Sequence, residues 1–186
     1  MKAIYREHVR AALDRELPLR CVGFAPFTLK LSKAERKDAT LFTGSCLYAR
    51  DVPEGRQFLH FIPHRRQEEL LAEVGWSVSG KFPVALTSHG PLKEPVDEML
   101  EPDWLIDFGT LYHRKYALGF FGWEVWRCSV SFEHPDFMKI FMAEDLLPVS
   151  ADLAKHRADR AVAACIKDVQ DVAVPYLERW RRCRAE

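Results

Sequence analysis

Hydrophobic and polar positions repeat along this chain with two periods, and each change of period marks an element. Tyr5, Val9, Ala12 and Leu13 recur at i, i+4, i+7 and i+8. That is one face of a 3.6-residue repeat, and it predicts an amphipathic helix over residues 2–17. Pro18 is expected to stop it, because proline disfavours helical geometry in the residue before it. After the entry Val22-Gly23-Phe24 the period becomes two. Phe27, Leu29 and Leu31 alternate with Thr28, Lys30 and Ser32, as in a half-buried strand. The charged segment 33–38 reads as a turn or long hairpin loop. A second strand is expected over 41–50, with a bulge or bend at Gly44. Pro53-Glu54-Gly55 is turn chemistry: proline presets φ and glycine accepts a positive one.

Residues 57–62 predict a third strand, and the segment after it fits two patterns. Leu70, Ala72, Val74, Trp76 and Val78 alternate with Glu69, Leu71, Glu73, Gly75 and Ser77, whereas 67–74 is also rich in good helix formers. Gly75 and the Trp-Ser-Val-Ser run favour a strand. The stretch 57–80 therefore reads as a central hairpin, and its loop, Pro63-His64-Arg65-Arg66, is the most cationic in the chain. Residues 87–102 are rich in proline, glycine and acids and predict a long loop with a short helix at 96–100. Alternation returns over 121–132, with Trp126, Cys128, Val130 and Phe132 on one face and Trp123 and Val125 on the other. Apolar groups on both faces suit a central strand or one covered by helices.

The last third is helical. Val162, Cys165, Ile166, Val169 and Val172 form one stripe, Ser150 is a candidate N-cap, and Pro175 is expected to break the helix. Tyr176, Leu177 and Trp180 then dock a final turn or two before the basic end, 179–184. These elements define a single α+β domain: one curved, mainly antiparallel sheet with N- and C-terminal helices packed on one face.

Composition agrees with that picture. The 186 residues are 48% hydrophobic and 29% charged, with twelve Phe and five Trp, enough for a sizeable core in an ordinary globular chain. The formal net charge is zero, which argues against a generic nucleic-acid binder with its net basic field. Cysteines stand at 21, 46, 128, 165 and 183. An odd count without a C-x-x-C points to buried free thiols in a reducing compartment. The first residues are too charged for a signal-peptide core, and no apolar run approaches the roughly 18–20 residues that span a bilayer. A cytoplasmic protein with no membrane partner is the expectation.

Candidate chemistry is sparse. Gly75-Trp-Ser-Val-Ser-Gly80-Lys81 has phosphate-loop spacing, but Phe82 has no hydroxyl for a magnesium ion, and Pro83 leaves no good helix to follow. His60 and His64 stand at i, i+4, a ligand spacing only on a helix. Here Phe61-Ile62-Pro63 favours a strand running into a loop, so no metal site and no cofactor are expected. His60 then belongs to a strand face and His64 to solvent. No G-x-S-x-G elbow or activated cysteine marks a nucleophile. Asp107, His113 and His134 are the candidate acid–base residues, should they meet within hydrogen-bond reach.

Two oppositely charged segments are candidates for contact with a partner. His64, Arg65, Arg66 and Gln67 form the cationic one, since arginine presents a planar fork to carboxylate or phosphate. Glu94, Asp97, Glu98 and Glu101 form the anionic one.

The layout resembles a bacterial domain of unknown function, type 4304. The likeness is carried by the N-terminal helix, Gly23-Phe24, the strand 58–62, the polar loop 64–67, Glu73-Val74-Gly75-Trp76-Ser77 and the ending Ala173-Val-Pro175-Tyr-Leu177. It spans most of the chain, although 94–103 and Trp123-Glu-Val-Trp126 do not anchor it. The resemblance implies an antiparallel α+β fold with terminal helices and transfers no catalytic residue. The sequence thus leads to the expectation of a non-enzymatic bacterial binding protein, most concretely an immunity or antitoxin-type partner of a toxin. The alternative is a small hydrolase built on Asp107, His113 and His134.

Overall fold

The computed structural model describes residues 3–29, 44–63, 69–83, 95–116, 126–127 and 149–186, and of residues 95–97, 113, 116, 126 and 127 the backbone alone. The chain is built around a hairpin. Strands β3 (Gly55–Pro63) and β4 (Glu69–Ser77) pair antiparallel from Arg56↔Ser77 to Pro63↔Leu70. The segment that fitted both helix and strand is therefore a strand, with sheet pairing on both edges overriding the helix-forming Glu, Leu and Ala. Strand β2 (Cys46–Val52) lies against β3, and the two-residue β1 (Ala25–Pro26) lies against β2. The other edge of β4 is shared. Its Glu73–Ser77 half pairs with β5 (Asp103–Asp107), and Glu69 and Leu70 pair with β6 (Trp126–Arg127). Among the described residues every pairing is antiparallel, and the order β1-β2-β3-β4-β5 does not close.

Register aligns side chains in rows across the strands. Tyr48, Leu59, Val74 and Ile106 form one row facing the helices. There they meet α1 (Ala3–Arg20), α4 (Ala151–Asp168) and α5 (Val174–Ala185) in the main core. The predicted stripe of α1 is buried from Tyr5 to Leu17. Small residues Ala154, Ala158 and Ala161 open the buried stripe of α4, which lets α1 pack close along it. Trp76 lies between Trp104 (centroids 6.4 Å apart) and Trp180 (5.2 Å). Each such aromatic pair adds about 0.5–1.5 kcal/mol beyond its buried area. The fold is thus α+β, with terminal helices on one face of an antiparallel sheet.

The opposite face carries a smaller apolar group. Ala49, Phe58, Gly75 and Leu105 form a row, in which small neighbours flank the Phe58 ring. Phe27 and Phe82 meet that ring edge-on at 5.9 and 5.2 Å. Gly75 is required by its neighbour: a Cβ there would lie 2.1 Å from the Trp104 carbonyl oxygen. Gly75 sits inside β4 and Gly80 in the turn after it, so the phosphate-loop spacing belongs to a strand and its exit.

Both prolines expected to end helices are tolerated. Pro18 lies within α1. It removes only the N–H that would reach Asp14, and the Cys21 N–H closes the last turn on the Leu17 carbonyl at 2.8 Å. At the other end α4 passes without a break through a π-helical turn, Val169–Ala173, into α5. Pro175 occupies the first turn of α5, where a missing N–H is tolerated best. In α geometry that N–H would face the Asp171 carbonyl, and the Lys115 ammonium donates to this oxygen instead.

Two elements were not legible as such. Asp103–Asp107, just past the loop predicted over 87–102, forms β5, and α3 (Phe108–Tyr116) follows directly; α2 (Pro95–Leu100) ahead of them is the short helix expected at 96–100. The strand expected from Phe27 to Leu31 does not form over 27–29: the strand here is the earlier Ala25–Pro26, followed by one N–H from Phe27 to Leu47 O at 2.7 Å. Residues 30–43, and 121–132 apart from Trp126–Arg127, lie outside the described residues. No described helix is long and apolar enough to cross a membrane.

Candidate functional site

One candidate site is a polar row on the sheet face away from the helices. Leu47 pairs with His60, His60 with Glu73 and Glu73 with Asp107, so imidazole and two carboxylates lie side by side on three adjacent strands. His60 Nδ1 and Glu73 Oε2 are 2.9 Å apart. With Glu73 ionised, Nδ1 is the donor. This is the arrangement by which a carboxylate orients an imidazole for proton transfer. The pair is enclosed: His60 is 1% exposed, and its ring meets Phe82 at 5.3 Å.

Asp107, a predicted acid–base residue, ends β5 and caps α3, its Oδ1 accepting the Thr110 N–H at 3.1 Å. His113 lies on α3 with only its backbone described, and His134 lies outside the described residues. The structure places Asp107 opposite Glu73, which is in turn opposite His60. His60 is the strand-face residue the sequence implied, but its pairing with Glu73 depends on the register that sets Pro63 opposite Leu70. Alternation fixes which face a residue takes, not which partner it meets. Among the described residues, no group of three His, Cys, Asp or Glu is placed to hold a metal ion.

The predicted contact segments divide. His64, Arg65, Arg66, Gln67 and Glu94 lie outside the described residues, and Asp97 is described only as backbone of α2. Glu98 is not at the surface. It is fully buried, its carboxylate held by Arg114 Nη1 at 2.5 Å and approached by the Tyr176 hydroxyl at 3.4 Å. Burial, with the Glu98 charge nearby, pushes the Tyr176 phenol well above its usual range. Glu101 is half-buried, and its carbonyl accepts the Trp76 indole N–H at 3.0 Å. Part of the anionic segment is therefore mortar between α2, α3 and α5.

Three of the described thiols are kept protonated by their environment. Burial raises Cys21 to about 11 against the pull of Arg50, raises Cys46 despite Arg10, and holds Cys165 far above the thiol range. These three are buried and free, whereas Cys183 is exposed.

The second candidate site is a surface built on α5. Its inner side is pinned by buried Leu177 and Trp180, and by Arg184 donating to the Leu100 carbonyl at 2.6 Å. Glu178 accepts from Arg50 at 2.5 Å, and Arg50 also grips Gln57, whose amide donates to the Leu177 carbonyl at 2.9 Å. With that side fixed, the helical period turns Arg179, Arg181 and Arg182 outward, and all three are exposed. Arg181 reaches back to Glu178 at 3.2 Å. The sequence showed a basic end, and the structure shows a fixed cationic face.

No protein-family model, curated protein or solved structure matches this chain. The resemblance to the type-4304 domain rests on the short motifs quoted for it.

Proposed function

We propose that this chain is a non-enzymatic bacterial binding protein of the immunity or antitoxin type, and that it recognises an acidic protein surface. The observation that carries the reading is the outward face of α5. Three arginines stand on a helix whose opposite side is anchored by two buried residues and a polar network, so little order remains to be gained on binding. Arginine suits such a role because its planar fork meets carboxylates bidentately, and a patch of one sign speeds encounter with the opposite one. The test is a pull-down with the purified product of the adjacent gene. Retention by the wild-type chain and loss in Arg179→Glu/Arg182→Glu supports the reading. Equal retention by both proteins would sink the role given to α5.

A second reading, a hydrolase-type enzyme, is favoured by the His60–Glu73 pair with Asp107 beside it. It predicts that His60→Gln abolishes turnover of ester, amide or phosphodiester substrates with the fold kept. Absence of turnover in the wild-type chain across those classes counts against it.

A further inference from the structure

We propose that the corner between α1 and β1 is the apolar anchor of this binding surface, and that it seats an acidic, amphipathic segment of a partner protein. The inference rests on the cationic reading of α5 and names the chemistry of what docks there.

Leu19 and Val22 are 75% and 77% exposed, the most exposed large hydrophobic side chains among the described residues. They are presented by a backbone held from several sides. Cys21 N–H donates to Leu17 O at 2.8 Å and Phe24 N–H to Cys21 O at 3.2 Å. The Gln170 amide donates to the Arg20 carbonyl at 2.9 Å, and Arg50 donates to the Val22 carbonyl at 3.4 Å. Arg50 also lies over the Phe24 ring at 4.8 Å. Gly23 takes φ +88, and a Cβ there would meet Arg50 Cδ at 2.8 Å. Cys21 and Phe24 point into the core while Leu19 and Val22 point out. A turn that merely joins two elements presents polar groups to water. This one is fixed in place and presents two aliphatic side chains, which is how an interface anchor keeps its ordering penalty low.

The charges around the corner choose the occupant. Glu16 is shared between Arg15 (2.9 Å) and Arg20 (3.5 Å), and Glu178 between Arg50 (2.5 Å) and Arg181 (3.2 Å). Arg15 also meets Asp159 at 3.0 Å, and Lys155 holds the other oxygen of that carboxylate at 2.9 Å, so three carboxylates serve four guanidiniums and an ammonium, and the rim stays cationic. A second copy docking corner to corner would bring like charges together, whereas an acidic segment complements them. An anionic bilayer has the right charge, but insertion requires an apolar helix face. That of α1 is already buried in the core.

The test is affinity selection of a phage-displayed random peptide library on the purified protein. Selected peptides are then measured against Leu19→Ser/Val22→Ser and, separately, Arg179→Glu/Arg182→Glu, each checked for an unchanged far-UV spectrum and melting temperature. The expected result is peptides that combine Asp or Glu with Leu, Phe or Trp and lose at least tenfold in affinity on both variants. Peptides lost on the arginine variant alone would overturn the anchor and leave the cationic reading of α5 standing. Peptides indifferent to both variants, or no enrichment, would overturn both. Binding of the wild-type chain to phosphatidylserine vesicles that disappears in Leu19→Ser/Val22→Ser would overturn the protein partner in favour of a membrane.

Discussion

Replacing Glu98 by alanine probes whether the anionic segment is surface or interior. Glu98 is 0% exposed and Arg114 is 24% exposed, with 2.5 Å between them. Removing the carboxylate strands a guanidinium that is three-quarters covered. Breaking a fully buried ion pair costs about 3–5 kcal/mol. The water Arg114 retains lowers that expectation to about 2–4 kcal/mol by the same reasoning. Glu98→Gln keeps the volume and one acceptor, and loses about 1.5–3 kcal/mol, the worth of a hydrogen bond to a charged group. The double substitution Glu98→Leu/Arg114→Met strands no charge and is expected to be more stable than Glu98→Ala alone. Urea unfolding followed by tryptophan fluorescence reads these differences, because Trp76 and Trp180 stack in the adjoining core. In a thermal melt of a chain this size, each kcal/mol moves the midpoint by about 2–4 °C. A Glu98→Ala protein within about 0.5 kcal/mol of wild type, the range of ordinary surface substitutions, would refute the placement and return Glu98 to solvent.

Three further outcomes follow from the same geometry. Cys21 ionises at about 11 folded against a usual 9.0, so above pH 9 the unfolded chain releases a proton the folded chain keeps. Stability is then intact below pH 9 and falls as pH rises from 9 to 11, by about 1–3 kcal/mol. Cys46, Cys165 and Tyr176, raised by the same burial, add to that fall, so Cys21→Ala lessens the slope between pH 9 and 11 by one thiol's share in urea titrations, and an unchanged slope contradicts the assignment. Labelling with a thiol reagent, mapped by mass spectrometry, modifies Cys183 in the native protein and reaches Cys21, Cys46 and Cys165 only after unfolding; early labelling of Cys165 would contradict its burial. Gly75→Ala forces β5 away from β4 and is expected to lower the melting temperature sharply or prevent folding, whereas Gly80→Ala, with only Arg56 side-chain atoms nearby at 3.9 Å, meets only the strain of its φ of +74, about 1–2 kcal/mol. Equal melting temperatures for the two would refute the close β4–β5 approach.

The sequence revealed most where periodicity was long. The α1 stripe and the α4 stripe with its Ser150 cap follow from spacing that only one backbone geometry satisfies, and in the central hairpin Gly75 and the Trp-Ser-Val-Ser run favour the strand where 67–74 also fits a helix. It concealed β5, because Trp104-Leu105-Ile106 is buried on both faces and so does not alternate, and because its flanking aspartates blend into an acidic run. Pro18 and Pro175 misled for a related reason: each removes one hydrogen bond, and neighbouring contacts absorb the loss. The polar row His60–Glu73–Asp107 needs register, which depends on turn length rather than on pattern. Glu98 was read as surface because a buried carboxylate requires a partner, and Arg114 stands sixteen residues away. The α1–β1 corner drew no notice, since two exposed aliphatic residues become informative only once the backbone around them is known to be fixed.

The central claim is that a fixed cationic face on α5, continuous with the corner at Leu19 and Val22, binds an acidic protein. Titration calorimetry with the product of the adjacent gene, at low and physiological salt, tests it most directly. The account predicts binding that weakens as salt screens the arginines, and that falls at least tenfold in Arg179→Glu/Arg182→Glu and in Leu19→Ser/Val22→Ser. Binding indifferent to salt and to both variants would contradict it.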